Sequence, residues 1–527
     1  MAMGKRFVSL LLCLALLCLC AGCGGYQADG SFTYLLPQNV TSLDPQTAAD
    51  AASGMVIDSL FEGLCRIDED GETVPGVARR WESNQDATEF TFYLRPKAQW
   101  SNGDPVTADD FVFAITRALN PGTGSVAEDM LSLVNARAYA AGEVDASALG
   151  VYAEDEHTLV IRLEESNPDF PALTAGTHYM PCNRSYFEAC AGHYGLSSQY
   201  VISNGPFTFS SVYAWQTDPG ERSLRLTRSD TYRGGRTVQP ANVTFLIDYD
   251  DAYDQDPVQA LLEGNVDILT LPETLAQQAE EAGCGVLSLD DAVTGLLLNP
   301  RSEKLENRAL RSLFLKTLHR EDLLSRRENP VEALGVMPPC VVWNGESYYG
   351  DGARIYTQED SSAVEEIPSL LQELDLEEIP SITVLCRDDP ESIAVANGFL
   401  VAWNQVLGNA FNLEPLQEGE LQARIASGSY EAALYTLRAG GTTPYDVLRS
   451  FESTASPTLL EDETFDQTLR SLSFDLASYR EAETLLAECC VFYPIFQDTT
   501  YYAVNPNTRG ITVAPDQNVD FTGARKK

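Results

Sequence analysis

Histidine is scarce in this chain, with four in 527 residues: His157, His178, His193 and His319. They are scattered, and no Cys-x-x-Cys pair occurs beyond the N-terminal leader, so a structural zinc site is not expected. Positive charge is also thin. Thirty-five Lys and Arg stand against 77 Asp and Glu, for a net charge of −42. Phosphate binding needs a basic face, so nucleic acid is not expected as a partner. The acid excess suits a solvated, exported surface and can attract cationic ligands over distance. There is no His-Glu-x-x-His, no Gly-x-Ser-x-Gly, and no Ser-x-x-Lys in a suggestive context. Carboxylate pairs carry no weight in so acidic a chain. No enzyme, cofactor or metal is expected.

What the chain does have begins at its start. Lys5 and Arg6 precede an apolar run from Phe7 to Leu19, followed by Cys20-Ala21-Gly22-Cys23-Gly24-Gly25. This is the layout of a bacterial lipoprotein signal. The run to Gly22 is about 16 residues, short of the ~20 that span a bilayer. Cleavage before Cys23 would free its thiol for lipid attachment. A further acyl chain on the new N-terminus would make the anchor stable. One departure stands out: the Leu usual three places before the cysteine is here Cys20, with Leu19 one place further back. An ordinary signal peptide cut elsewhere is the alternative. The expected location is the outer face of the cytoplasmic membrane, or the periplasm of a two-membrane cell. Loss of residues 1–22 takes the net charge to −44.

Of twelve cysteines, Cys13, Cys18 and Cys20 leave with the leader and Cys23 carries the lipid. Cys65, Cys182, Cys190, Cys284, Cys340, Cys386, Cys489 and Cys490 remain. Export permits disulfides, and Cys182 with Cys190 is the local pair. Buried free thiols are the commoner outcome in a chain this long.

Some 500 residues, 44% of them apolar, exceed one core and suggest two or three domains. Ser31–Leu36 and Phe90–Leu94 read as strands. Thr107 can cap a helix with Asp109 and Asp110 in its first turn and Phe111, Ile115, Ala118 and Leu119 on one face. Asn120-Pro121-Gly122 ends that helix. Asp256-Pro257 starts another, which buries Val258, Leu261 and Leu262 and stops at Gly264, before a strand over 266–269. Alternation of strands and helices continues to the C-terminus, which predicts α/β domains. No flexible linker separates them, so crossing strands should join them.

Several motifs then stand together: Ser42-Leu43-Asp44-Pro45, Leu60-Phe61-Glu62-Gly63-Leu64, and the block from Gly71 to Asp110, with Trp100-Ser101-Asn102-Gly103-Asp104-Pro105 inside it. Ser203-Asn204-Gly205-Pro206-Phe207, Gly264-Asn265-Val266-Asp267-Ile268 and Leu296-Leu297-Leu298-Asn299-Pro300 follow. From about residue 31 to 522 the chain resembles the family 5 extracellular solute-binding proteins, the oligopeptide-binding class that serves ABC importers. The resemblance implies a two-lobed, periplasmic-binding-protein-like α/β fold with three domains. Domain I would be discontinuous, at 31–64, 198–287 and 495–527. Domain II would be 65–197 and domain III 288–494, with 23–30 as the lipid tether. A ligand would lie in the cleft between lobes, which close on a hinge. The implied partners are an oligopeptide or other small solute, a permease, and the membrane through the anchor; the receptor would be a monomer.

Relatives hold peptides mainly by the backbone, strand beside strand. The segments implied here are Ala49, Asp50 and Ala51, and Arg438 with Gly440, Gly441 and Thr442. Relatives that bind a free peptide N-terminus carry Arg-Ala-Gly-Trp and, six residues after the Arg, an aspartate for the ammonium. Here Gly441 replaces the Trp and Pro444 stands at the sixth place. Either Asp446 or Asp50 takes that role, or the ligand has no free ammonium, as a sugar, opine, chelate or modified peptide would not. Asp446 can equally cap a helix over 447–451. Tyr501 and Tyr502 are candidates for cleft or core alike, and Trp403 for the core.

Overall fold

The computed structural model describes residues 30–36, 40–48, 51–123, 128–164, 166–215, 223–246, 256–327, 329–343, 346–350, 352–357, 360–407, 411–439, 443–453, 458–473, 475–514 and 517–527. The leader and Cys23 lie outside them. In chain order the strands of the two main sheets are β1 (Ser31–Leu35), β2 (Ala78–Ser83), β3 (Glu89–Leu94), β4 (Val151–Asp155), β5 (Thr158–Arg162), β6 (Phe207–Phe209) and β7 (Ser223–Arg228). Then come β8 (Asn242–Leu246), β9 (Ile268–Leu271), β10 (Gly285–Leu298), β11 (Thr383–Arg387), β12 (Asn412–Leu416), β13 (Ala432–Arg438) and β14 (Phe492–Val504). Ten of them form one mixed sheet in the order β12-β11-β13-β10-β14-β9-β1-β8-β7-β6. The remaining four make an antiparallel sheet, β2-β3-β5-β4.

Local chemistry explains the elements that sequence reasoning found. In β1 the alternation places Phe32 and Tyr34 inside, both fully buried. Helix α1 (Ala51–Leu60) follows the Asp44–Thr47 turn. Helix α2 (Ala108–Ala118) starts at Thr107, where Thr107 and Asp110 form a capping box. Helix α3 (Pro257–Glu263) has Asp256 accepting from the Val258 N–H at 2.9 Å and ends at Gly264 with φ +77°. Two expectations are corrected here. Leu262 is 37% exposed because it faces away from α3's packed side, and the next strand begins at Ile268. Helix α4 (Pro390–Val406) carries Trp403 in the core, its indole N–H donating to the Phe314 carbonyl at 3.0 Å. Helix α5 (Pro444–Leu448) precedes a 3₁₀ turn at Arg449–Phe451, so it begins three residues earlier than the spacing suggested. Helix α6 (Leu476–Cys489) leads into β14.

The apolar side chains collect into two principal cores. One draws on residues between Val293 and Phe496. The other runs from Phe32 to Ile268 and resumes from Tyr502 to Ala524. The family motifs hold the second together. Asn204 accepts from the Glu62 N–H at 3.1 Å and donates to the Glu62 carbonyl at 2.9 Å. Gly205 lies so close to the end of α1 that a Cβ would sit 2.7 Å from the Leu60 carbonyl group. Trp100, fully buried, donates to Asp110 at 3.2 Å. All eight cysteines among the described residues are free thiols, Cys182 and Cys190 included, and all but Cys340 are buried. No helix among the described residues is long and apolar enough to cross a membrane.

Candidate functional site

The two cores are bridged by β10 and β14, long antiparallel strands that serve both. Residues Gly285–Leu289 pair with Thr500–Val504 on one side, and Ala292–Leu297 pair with Phe492–Asp498 on the other. Between them the register shifts: Asp290 and Asp291 stand against Thr499 alone, two residues facing one. That is a β-bulge, which bends a strand and re-aims its side chains.

Both aspartates use it to hold β14. Thr499 donates to Asp290 at 2.6 Å, and Thr500 donates to Asp291 at 2.7 Å. Asp290 is exposed, whereas Asp291 is fully buried. Burial pushes the Asp291 carboxyl above its ordinary range, against the opposing pull of Arg438 and Thr500.

Arg438, the last residue of β13, pairs across the sheet with Ala292. Its Nη1 lies 3.4 and 3.5 Å from the Asp291 carboxylate oxygens and also donates to Thr500 Oγ1, while half of the side chain remains exposed. The next peptide is fastened at both ends. The Ala439 N–H donates to the Asp291 carbonyl at 2.9 Å, and Gln517 donates to the Ala439 carbonyl at 3.1 Å. Residues 440–442, which include the predicted Gly440, Gly441 and Thr442, lie outside the described residues. So do Ala49 and Asp50, and Ala51 is the first residue of α1.

Asp446 is buried at the start of α5. Its Oδ2 accepts from the Thr443 N–H at 3.1 Å and the Thr443 hydroxyl at 2.7 Å. Its Oδ1 lies 3.7 Å from Arg449 Nε. The structure thus engages Asp446 as a helix cap. Tyr502, at 1% exposure, packs into the core that starts at Phe32; the side chain belongs to that packing rather than to an open surface. Tyr501 is part-buried.

A small pocket opens beside α1 and the C-terminal segment. Asp58, Glu62, Arg66, Arg236, Asn518 and Asp520 line part of it. Arg236 pairs with Asp520 at 2.7 Å, and the Tyr232 hydroxyl donates to Glu62 at 2.7 Å.

Sequence reasoning missed Asp291, Thr500 and Gln517. A signal for the first was present: two acids interrupt an otherwise apolar β-run between Leu289 and Ala292.

An α/β chain with two cores joined by a pair of bulged crossing strands, and a strand end displayed beside the crossing, defines a two-lobed binding protein of the periplasmic type. The model of the bacterial extracellular solute-binding proteins, family 5, matches residues 72–458, and the chain belongs to that family. The oligopeptide-binding protein OppA of Bacillus subtilis is 25% identical over 561 aligned positions, which cover 99% of this chain and 99% of OppA. The probable deoxycholate-binding periplasmic protein YgiS of Escherichia coli is 36% identical over 195 residues, 34% of this chain and 36% of its own. Among solved structures, Haemophilus influenzae OppA in complex with RPPGFSPFR superposes with a TM-score of 0.77 at 21% identity, covering 95% of this chain and all of that one.

Proposed function

We propose that this protein is the receptor of an ABC importer, which captures extended oligopeptides between its lobes and hands them to a permease without chemistry of its own. The observation that carries the reading is end-to-end similarity to a relative named for oligopeptide binding. Arg438 and the segment 440–442 would meet the ligand backbone on one side, and Ala49–Ala51 on the other. In this reading Cys23 carries the lipid that keeps the receptor, as a monomer, at the outer face of the cytoplasmic membrane, or in the periplasm of a two-membrane cell. The domain boundaries follow as residues 31–64, 198–287 and 495–527; 65–197; and 288–494. The separation of the two cores near Val293 supports the last of these.

One observation favours a second reading, a non-peptide or modified-peptide cargo. Asp446, the nearest acid to the lost ammonium partner, is engaged by Thr443 and Arg449. A buried ammonium without a partner is costly. The partial similarity to a protein named for deoxycholate points the same way.

Native mass spectrometry of residues 24–527, purified without denaturation from cells grown in rich medium, separates the two. A ladder of bound masses that fragment as peptides supports the first. One discrete non-peptide mass establishes the second and overturns the first. Anchoring is tested separately: Cys23→Ser should release the protein from the membrane fraction.

A further inference from the structure

Arg509 and Arg525 stand directly opposite each other in a two-stranded ribbon, Thr508–Arg509 against Arg525–Lys526. Both are exposed, and neither has an ion-pair partner among the described residues. Like charges facing across a strand pair destabilise it, so this pairing calls for an anion from outside. The ribbon is tightly built: Gly510 follows at φ +74°, with no room for a Cβ against the Gly523 carbonyl. Exposed Lys527 extends it, its N–H donating to the Asn507 carbonyl at 2.8 Å and its ammonium to the Pro506 carbonyl. Lys526 is answered within the fold, 3.1 Å from buried Asp267. Asp267 also accepts from the Thr508 hydroxyl at 3.0 Å and from the Thr33 N–H at 2.9 Å, which bolts the ribbon to the start of β1. Glu263, at the adjoining end of α3, is taken up by Gln259 and Asn265.

From this geometry we propose that the ribbon is the face this protein turns to the membrane, where Arg509, Arg525 and Lys527 meet the phosphates of anionic lipid headgroups. The proposal rests on the reading of Cys23 as the anchored residue. Cys23 stands seven residues before Gly30. Even fully extended, that length of chain reaches only about 25 Å. Gly30 lies against the Phe32 ring, and the Lys526 ammonium lies 5.3 Å from the centre of the same ring. The ribbon therefore sits at the very end of the fold that the short leash holds near the headgroups. Charge then decides which side faces down. With 77 acids against 35 bases, the body as a whole is repelled by an anionic surface. Unpaired bases are attracted to it once within a Debye length, about 8 Å at physiological salt.

The test uses the full chain, recovered from bacterial membranes and reconstituted into vesicles of phosphatidylcholine, alone or with about a third phosphatidylglycerol. The readout is the rate at which an acetylating reagent modifies Lys527, with exposed Lys97 as the control. Lys527 should react about fivefold more slowly on the anionic vesicles than on the neutral ones, and Lys97 equally on both. The slowing should vanish in the Arg509→Gln/Arg525→Gln double variant, and in ~1 M salt, where the Debye length shrinks to ~3 Å. Equal Lys527 rates on the two vesicles overturn the proposal, as does slowing that survives in the double variant. Removing a like-charge pair should leave the urea midpoint the same or higher; a lower midpoint would make the arginines structural and overturn it too. Inorganic phosphate that slows Lys527 equally without vesicles would show a free-anion site instead of a membrane face. If the intact mass shows no lipid on Cys23, the anchoring reading fails. Residues 23–527 are then coupled through the Cys23 thiol to a maleimide-bearing lipid, and the same comparison still decides whether the ribbon meets headgroups.

Discussion

Arg117 on α2 grips Asp44, 73 residues earlier in the chain, with Nη1 at 2.7 Å from one carboxylate oxygen and Nη2 on the other. Each side chain is only 8% exposed. The same guanidinium donates to Gln46 and lies 4.4 Å from the Phe187 ring centre. Gln46 in turn donates to the Met180 carbonyl at 2.8 Å, and the Leu43 N–H donates to the Gly195 carbonyl at 2.8 Å. The turn that leads to residues 49–51 is therefore bolted to the segment 176–200 from several directions.

Arg117→Ala would leave Asp44 buried with its main charge partner gone. Breaking a buried pair from one side costs about 3–5 kcal/mol. Urea unfolding should show a midpoint lowered accordingly. A loss under about 1 kcal/mol, the range of exposed pairs, would mean that the pair is solvated in solution.

Stability should fall as pH rises towards neutrality because of Glu483. This fully buried carboxyl accepts from the Val336 N–H at 3.0 Å and from Tyr349, and burial pushes it from 4.5 up to about 7. The folded state then holds the proton more tightly than the unfolded chain, so stability drops between pH 4.5 and 7. The full drop is roughly 3 kcal/mol, because each tenfold difference in proton affinity is worth about 1.4 kcal/mol. Asp110, raised from 3.8 to about 6 chiefly by burial, adds a slope of the same sign at lower pH. Glu483→Gln keeps an acceptor for Val336 and removes the titration. The difference between its stability curve and that of wild type should flatten above pH 7; a constant difference from pH 4 to 8 would refute the assignment.

The thiols should be silent. Burial pushes Cys65, Cys182, Cys340 and Cys489 up to about 12, so almost none is thiolate at neutral pH. An aromatic disulfide reagent should label these four only once the chain is unfolded. With Cys182 and Cys190 as free thiols, a reductant should leave the intact mass unchanged. A gain of two mass units would show that they bridge.

Asp446→Asn should weaken the start of α5 rather than ligand recognition. The loss of a charged cap costs about 1 kcal/mol. The ratio of affinities for peptides with free and with acetylated N-termini should not change. A collapse of that ratio would return Asp446 to the ammonium site.

Much of the scaffold was legible because its causes are local. Thr107 with Asp110, Asp256 before Pro257, and the alternation in Ser31–Leu35 each need only neighbours in sequence, and each formed where the pattern placed it. The motif residues were legible as a family likeness but not as mechanism. That Asn204 and Gly205 lock the end of α1, or that Trp100 docks on Asp110, follows only from how the pieces meet. Asp446 shows the limit within a single residue: the sequence allowed cap or ligand partner, and the position of Thr443 decided.

By itself, then, the sequence determined the α/β class and the family, since motifs, periodicity and capping are properties of short stretches. Tertiary structure alone decided that Asp291 would meet Arg438 across 147 residues, that Tyr502 would be interior, and that Asp44 would be answered by Arg117. Those outcomes depend on which strands pair and in which register. A two-against-one bulge in β10 turns adjacent aspartates to opposite fates, one to solvent and one to the interior, and no periodic pattern records that.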